Sequence, residues 1–289
     1  MSNSYGTYTD EQILTCLLTK NFSSIGRVFE DDVITKVKPG AFYEAQNLDR
    51  VTLTHVTEVG SVAFKNTDLT TLDLSWGSLT SIGLEAFADM DCDVLPASLS
   101  LTSVTTMQAG AFAQKNTAPN EKVTSVSLPL WTGVASGGDA YISSSIRGVF
   151  ENWTTLTTIT APELTELPYY CFRRCSGLVN VNFPKVATYS TAPFIQCSSL
   201  KKVKLGGDVR TLMQFPFTGC NVIEAFILPG ITTIPTITYN NWNSSRFATG
   251  DAYFYVPSSL VSSFAVATGW SNLSGYIRAI EDYPSVVSW

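Results

Sequence analysis

The sequence predicts an elongated solenoid that is mainly β-structure, with short turns and 3-10 segments between its strands and a helical cap at each end. Three observations predict this fold. A phenylalanine recurs every 22 to 25 residues over most of the chain, a short alternating apolar element follows most of these phenylalanines, and a second, shorter element follows the first. A unit of this length cannot bury its own apolar edge, so neighbouring units must stack around one continuous core.

The recurring phenylalanine defines the repeat. One longer interval, of 38 residues between Phe112 and Phe150, indicates an insertion. Because equivalent residues of stacked coils lie above one another, we expect these side chains to form a single column, with Trp242 in the same role in a ninth unit. The members of the column are Phe42, Phe64, Phe87, Phe112, Phe150, Phe172, Phe194 and Phe217.

The element after each phenylalanine has the pattern L-x-x-V-x-L, and its alternating end predicts a short β-strand with aliphatic side chains facing the core. A second element follows, such as VTEVG at 56–60 or ITTIP at 231–235, which often ends in Gly or Pro and predicts another short strand. The instances of the first element are LDRVTL (48–53), LTTLDL (69–74), VTSVSL (123–128), LTTITA (156–161), LVNVNF (178–183), LKKVKL (200–205) and IEAFIL (223–228).

Cysteines occupy one position of the repeat. The phrase F-x-x-C-S-x-L recurs at 172–178 and 194–200, and Cys220 holds the same place one coil later. Ala45 and Trp153 take this position in other coils. A position that accepts Ala, Trp or Cys is a packing position, so the sequence predicts buried thiols there. A disulfide between stacked coils stays open as an alternative.

L-x-x-V-x-L is the core of a leucine-rich repeat. The extended unit, with its GAF and F-x-x-C-S-x-L phrases, resembles the BspA-like leucine-rich repeats of bacterial and protist surface proteins and of gut-bacterial and prophage genes. The resemblance covers residues 25–256 and implies a leucine-rich-repeat solenoid with a non-catalytic recognition role. The chain departs from many leucine-rich repeats in lacking, in most units, the asparagine that bonds the turn.

The resemblance and the patterning together divide the chain into three parts. At the amino end, Asp10 can cap a helix over the apolar phrase EQILTCLLTK. At the other end, Pro257 and Ser258 can start a helix with Phe264 on its apolar face, and Gly269 can end it. The predicted parts are an N-terminal helical cap at 1–24, the repeats at 25–256 with an insertion loop at 129–147, and a C-terminal helical cap at 257–289.

Composition excludes several classes of function. Hydrophobic residues make up 45% of the 289 residues and charged residues only 15%, which argues against disorder. The net charge of −6 argues against a nucleic-acid-binding surface. No apolar stretch approaches the ~20 residues that a membrane-spanning helix needs. The opening MSNSYGTYTD lacks the basic n-region of a secretory signal peptide, which favours a virion-associated protein. The resemblance to surface proteins implies an extracellular or cell-surface location as well.

No motif for catalysis or metal binding is present. His55 is the only histidine, and neither a G-x-S-x-G elbow nor a P-loop accompanies it. Cys171 and Cys175 form a CxxxC, a poor match to zinc or redox pairs. DMDCD at 89–93 opens like an EF-hand loop but lacks the glycine and the glutamate that complete one. The sequence predicts no enzyme, no metal and no cofactor.

The insertion loop 129–147 is the first candidate binding surface. Insertions in solenoids collect on one face and often carry binding. The loop is rich in Gly and Ser and is expected to display Trp131, Tyr141 and Arg147. The alternative is a tolerated surface excursion with Trp131 packed onto the solenoid.

The outward positions of the strands are the second candidate surface. They form the concave sheet that the resemblance implies, and short hydroxyl and amide side chains dominate them, which suits contacts with carbohydrate or protein as well as a merely solvated sheet. Lys201, Lys202 and Lys204, with Arg210 nearby, form the basic cluster of this face. The cluster suits an anionic partner, or a charged face that blocks unwanted strand pairing.

The sequence therefore predicts a non-catalytic recognition or adhesion scaffold that binds a protein or carbohydrate on a cell surface through its solenoid face and central loop. The first alternative is a phage or prophage virion component, such as a tail receptor-binding protein. The second is a carbohydrate-active enzyme. The ligand and the oligomeric state stay open.

Overall fold

The protein is described here from a computed structural model that covers residues 18–21, 27–45, 47–90, 94–116, 122–134, 147–213, 217–237 and 246–289. Each coil has three segments, namely a main strand, a shorter strand that forms a second row, and a turn that carries the recurring phenylalanine. All strand pairs in the described residues are parallel, as stacking of successive coils requires.

The main strands form three ladders, in the orders β1–β3–β5, β7–β9–β10 and β12–β14–β16–β18–β19. Seven of these strands, namely β3, β5, β9, β10, β12, β14 and β16, begin where the L-x-x-V-x-L pattern places its alternating end, so these strand predictions are confirmed. The pattern did not predict β1, β7, β18 or β19. Their outward side chains form what we call the main strand face. The strands are β1 (Val28–Asp31), β3 (Arg50–Leu53), β5 (Thr71–Leu74), β7 (Ser98–Ser100), β9 (Ser125–Ser127), β10 (Thr158–Thr160), β12 (Asn180–Phe183), β14 (Lys202–Leu205), β16 (Ala225–Ile227), β18 (Tyr253–Val256) and β19 (Ile277–Ala279).

The second row consists of two-residue strands in the ladders β2–β4–β6–β8 and β11–β13–β15–β17. A threonine lies just before several of these strands, and its hydroxyl donates to a carbonyl of the preceding coil. Thr80 Oγ1 donates to Thr57 O at 3.0 Å, and Thr105 Oγ1 donates to Thr80 O at 3.3 Å. The strands are β2 (Lys36–Val37), β4 (Glu58–Val59), β6 (Ser81–Ile82), β8 (Thr106–Met107), β11 (Glu166–Leu167), β13 (Thr188–Tyr189), β15 (Thr211–Leu212) and β17 (Thr236–Ile237).

The last strand of the second row differs from its prediction. The phrase ITTIP at 231–235 suggested a strand within it, but β17 follows it. Pro235 has no N–H to donate to a neighbouring strand, whereas the N–H of Thr236 donates to Arg210 O at 2.8 Å. The chain therefore enters the ladder one residue after the proline.

The phenylalanines form the predicted column. From Phe42 to Phe217 the consecutive rings are stacked, with centroids 4.9 to 6.3 Å apart, and Phe247 continues the column at 5.6 Å from Phe217. Trp242, expected in the ninth unit, lies outside the described residues. The column is buried throughout and forms the axis of the core.

Most of the turns around the phenylalanines use two left-handed residues, although those around Phe112 and Phe150 each have one. In most coils the residue two before the ring and the residue two after it have positive φ, as Val62 (52°) and Asn66 (58°) do around Phe64. The turn brings backbone N–H groups against the next coil, so that Phe64 N donates to Ala86 O at 2.8 Å. Left-handed conformations cost of order 1 kcal/mol for residues other than glycine, and the hydrogen bonds between coils offset this cost.

The side chain at the cysteine position bonds the preceding coil in four coils. The Sγ atoms of Cys175, Cys197 and Cys220 donate to the carbonyl of the preceding coil's phenylalanine, at 3.1, 3.0 and 3.1 Å. Trp153 does the same through Nε1, which lies 2.7 Å from Phe112 O. Cys171 and these three cysteines are free thiols, as the packing interpretation predicts. Burial raises the pKa of Cys220 to about 12, so its thiol stays protonated at neutral pH.

The ends of the chain differ in how far they are described. Of the predicted N-terminal helix only its last residues are described, where Leu18 and Thr19 are helical, and the N-terminal cap stays a prediction. None of the helices in the described ranges has the length and apolar character needed to cross a membrane. The C-terminal helices are α1 (Arg246–Thr249), α2 (Ser258–Phe264) and α3 (Pro284–Val287), with 3-10 segments at Ser271–Tyr276 and Ile280–Asp282.

The C-terminal cap is not purely helical. Helix α2 begins at the predicted place, and Phe264, Trp270 and Leu273 close the core, with Phe264 and Trp270 in edge contact at 4.8 Å. However, α2 ends at Phe264 and not at Gly269, the predicted end. After α2 the chain forms β19, which pairs with β18. Part of the predicted cap is therefore the last strand of the third ladder of main strands.

The close approach of the coils gives a first prediction. A Cβ atom at Gly148 would overlap the carbonyl oxygen of Tyr170 in the next coil, where Phe150 N donates to Cys171 O at 2.9 Å. We expect Gly148→Ala to lower the free energy of unfolding by about 3 kcal/mol in urea unfolding. Gly275→Ala is the matched control, because a Cβ there meets nothing within 4 Å. Equal unfolding midpoints for the two variants would contradict this packing.

Candidate binding surfaces

The middle of the main strand face is a surface of hydroxyl groups. The inward residues Leu99, Val126 and Ile159 are buried, so their neighbours on β7, β9 and β10 point outward. Strands lie about 4.8 Å apart and alternate residues about 6.7 Å apart along a strand, so these oxygens form a regular grid. We call it the hydroxyl surface, and it consists of Ser98, Ser100, Ser125, Ser127, Thr158 and Thr160.

The amino-terminal part of the main strand face is charged. The guanidinium of Arg50 lies 3.9 Å from Glu30, and beside it Arg27 pairs with Asp49 at 2.6 Å. All four side chains are more than one-third exposed, so these pairs contribute little stability. They give this end of the face a mixed charge.

The predicted basic cluster lies at the carboxyl-terminal end of the face. Lys201 is exposed, while Lys202 and Lys204 are partly buried under the end of the chain. The ammonium of Lys202 donates to Val286 O at 3.4 Å, and that of Lys204 to Val287 O at 2.9 Å. Arg210 belongs to the second row, where it pairs with Asp208 at 2.8 Å. Two of the three lysines are therefore engaged by the chain itself.

The segment over these lysines is what we call the C-terminal strap, residues 280–289. It lies across the outward side of β16 and β18, where Ile280, Val286 and Val287 pack against a small cluster separate from the main core. The members of that cluster are Ala225, Ile227, Tyr253 and Tyr255.

Sequence reasoning did not identify the strap, although a signal for it exists. AFI at 225–227 and YFYV at 253–256 are apolar at every position, which is typical of strands covered on both faces.

The structure corrects the role expected for Trp131. Its side chain has no exposed surface and lies edge-on to Phe150, with ring centroids 6.3 Å apart. The phrase WTGV at 131–134 continues the second row, because Val134 bridges Met107 and Thr165 N donates to Thr132 O at 3.0 Å. A fully buried side chain cannot touch a ligand, so Trp131 is a core residue.

The insertion is correspondingly shorter than predicted. LTSI at 79–82 and LTEL at 164–167 have the same apolar-Thr-x-apolar pattern as WTGV, and this register was the missed signal. Arg147, at the other end of the predicted loop, pairs with the nearly buried carboxylate of Asp89 at 2.6 Å. Tyr141 lies outside the described residues, within 135–146.

Two grooves in the described part of the structure lie outside the hydroxyl surface. The larger, of about 650 Å³, lies beside β13 and β15 and includes Thr188, Ser190 and Arg210 in its lining. In the same groove, Thr232 donates its N–H and its hydroxyl to Asp208, and with the Arg210 guanidinium these contacts lower the pKa of Asp208. The smaller, of about 470 Å³, lies between Arg27 and neighbouring turns.

His55 is exposed, with Nδ1 3.1 Å from Thr54 Oγ1. Among the residues that the structure describes, no group of three or more His, Cys, Asp or Glu side chains is placed to hold a metal ion.

The fold and its repeat define a parallel-strand solenoid built from one recurring unit. The chain belongs to the BspA-type leucine-rich-repeat family, whose repeat region matches in six copies over residues 18–126 and 142–247, more than half of the chain. The resemblance seen in the sequence is thereby confirmed.

Two of the five solved chains that match this chain are bacterial proteins. The pneumococcal vaccine antigen PcpA matches with a TM-score of 0.53 and 12% identity over 87% of this chain. A leucine-rich cell surface protein from Faecalibacterium prausnitzii matches with a TM-score of 0.49 and 16% identity over 81% of this chain. The chain covers 65% of the first and 66% of the second, less than two-thirds of either length. No curated protein matches the chain.

The burial of Trp131 gives a second prediction. Trp131→Ala removes a buried indole and leaves a cavity beside Phe150, so we expect a loss of about 3–5 kcal/mol in the free energy of unfolding. Trp289→Ala is the control, because Trp289 is 40% exposed, and we expect little change. Thermal and urea unfolding measure both variants. An unchanged stability of the Trp131 variant would restore its role as a displayed side chain.

Proposed function

We propose that the protein is a non-catalytic recognition scaffold that binds a glycan at a cell surface through the hydroxyl surface. The observation that carries the proposal is the regular grid of serine and threonine side chains on β7, β9 and β10. Each hydroxyl both donates and accepts a hydrogen bond, as sugar hydroxyls do. A glycan chain can therefore form hydrogen bonds with several strands of the hydroxyl surface at once.

The rigidity of the solenoid supports this role. The six side chains stand on strands whose opposite sides pack into the core, so ligand binding orders little of the protein. Two of the hydroxyl groups are already oriented by a hydrogen bond, in which Ser125 Oγ donates to Ser98 Oγ at 2.9 Å. Individual contacts of this kind are weak and often water-mediated, so affinity comes from repetition along a polymer.

Family membership supports the surface location. The BspA-like repeats that the sequence resembles occur in surface proteins, and a scaffold with an exposed polar sheet suits contact with a cell envelope. The same fold also suits a virion component, and the two roles differ in whether the protein co-purifies with cells or with phage particles. We place the function at the cell surface.

The proposal predicts the effect of blocking the hydroxyl surface. Thr158→Lys with Thr160→Lys puts two long side chains on it, and both positions are exposed, so the fold is retained. We expect binding to a bacterial glycan array and to intact bacteria to fall at least about tenfold, the loss of one to two good polar contacts.

The matched control is Thr106→Lys with Thr211→Lys, two exposed threonines on the second row. We expect the control to bind like the unchanged chain. Equal binding by both double variants, or binding of the unchanged chain to particles and not to glycans or cells, would overturn the proposal.

A further inference from the structure

The C-terminal strap covers the one part of the described main strand face whose outward side chains are all apolar. Tyr255 and Tyr283 meet edge to face at 5.5 Å, and the strap's Val286 and Val287 pack against the apolar cluster to which Tyr255 belongs. This cluster is separate from the continuous core of the solenoid. The solenoid core is therefore complete without the strap.

The lysines beside this cluster hold the strap through hydrogen bonds to uncharged backbone carbonyl oxygens. Lys202 and Lys204 donate to two successive backbone carbonyls, across a separation of more than eighty residues. An ammonium bonds a carboxylate much more strongly than a neutral carbonyl. The 3.4 Å bond of Lys202 is also long for an N–H···O bond. A segment with carboxylates at these places would satisfy the two lysines better than the strap does.

A further contact joins the strap to the start of helix α2 at an exposed site. Glu281 accepts the N–H of Ser258 through both carboxylate oxygens, at 3.3 and 3.1 Å. From Tyr283 to Ser285 its side chains are exposed, and Val286 and Val287 are only partly buried. An exposed segment with few buried atoms is of the low-stability kind that opens locally before the core does.

We propose that the outward side of β14, β16 and β18 is a docking site for an acidic, aliphatic peptide segment of a protein partner, and that the C-terminal strap occupies this site as an intramolecular ligand. The aliphatic side chains of the partner replace those of Val286 and Val287 on the apolar cluster. The carboxylates of the partner take the place of the Val286 and Val287 carbonyls as hydrogen-bond acceptors for Lys202 and Lys204. This site is separate from the hydroxyl surface and does not depend on the proposed glycan binding.

The test uses the full chain with the strap weakened. Val286→Asn with Val287→Asn removes the aliphatic contacts without adding charge, and we call this double variant the open variant. The probes are two fluorescent synthetic peptides, one with the sequence of residues 280–289 and one in which Ser285 and Ser288 of that sequence are replaced by glutamate. We expect fluorescence anisotropy to show both peptides bound to the open variant, the acidic one at least about tenfold more tightly.

Two controls define the site. Val266→Asn changes a valine that is 85% exposed and leaves the strap in place, so this variant is expected to bind both peptides at least about tenfold more weakly than the open variant does. Adding Lys202→Met and Lys204→Met to the open variant is expected to abolish the preference for the acidic peptide. Salt is expected to reduce the same preference, because the lysines are partly exposed.

Hydrogen exchange on the unchanged chain tests the proposal even if the open variant misfolds. Excess acidic peptide should raise the hydrogen-exchange rate of the strap amides at 283–288 and leave those of β14 unchanged. Failure of both peptides to bind a folded open variant overturns the proposal, as does equal affinity for the two peptides. Dimers that exchange straps between two copies would also overturn it, since the occupant would then be a second copy of this chain.

Discussion

Ring-on-ring packing of phenylalanine sets the rise from each coil to the next. With centroids 4.9 to 6.3 Å apart from Phe42 to Phe217, the rings hold successive coils near the spacing at which parallel strands pair. Most of the turns around the rings then have left-handed residues on both sides, and in three coils a cysteine thiol donates to a carbonyl of the preceding coil. The buried half of every repeat is fixed by this arrangement, and the outward half is left to vary.

The outward variation divides the main strand face into three parts. Paired charges occupy the first ladder, hydroxyl groups the second, and lysines with an apolar cluster the third. The hydroxyl part is open to solvent, while the third part is covered by the strap. One solenoid thus offers a polar surface suited to repetitive ligands and a second site already filled by a segment of the chain. The two surfaces call for different chemistry in their ligands.

Much of this fold could be predicted because stacking makes distant contacts periodic. A residue such as Phe172 meets Phe150 and Phe194, and the interval itself reveals both contacts. Trp131 was named as a displayed loop residue, with packing onto the solenoid as the alternative, because the long interval around it hid the register of WTGV. The strap was missed for a different reason, since its contacts with Lys202 and Lys204 occur once and follow no period. Local patterns reveal that β16 and β18 are covered, but not by which segment.

The most direct test of the central claim is the alkylation rate of individual thiols under native conditions, resolved by peptide mass spectrometry. Phe172→Ala opens the column between Cys175 and Cys197, with Tyr283→Ala as an exposed aromatic control. If the ring stack unites the coils, the loss of about 3–5 kcal/mol raises the rates at Cys175, Cys197 and Cys220 together, by more than a hundredfold. A rise confined to Cys175, or rapid labelling of these thiols in the unchanged chain, would contradict the account.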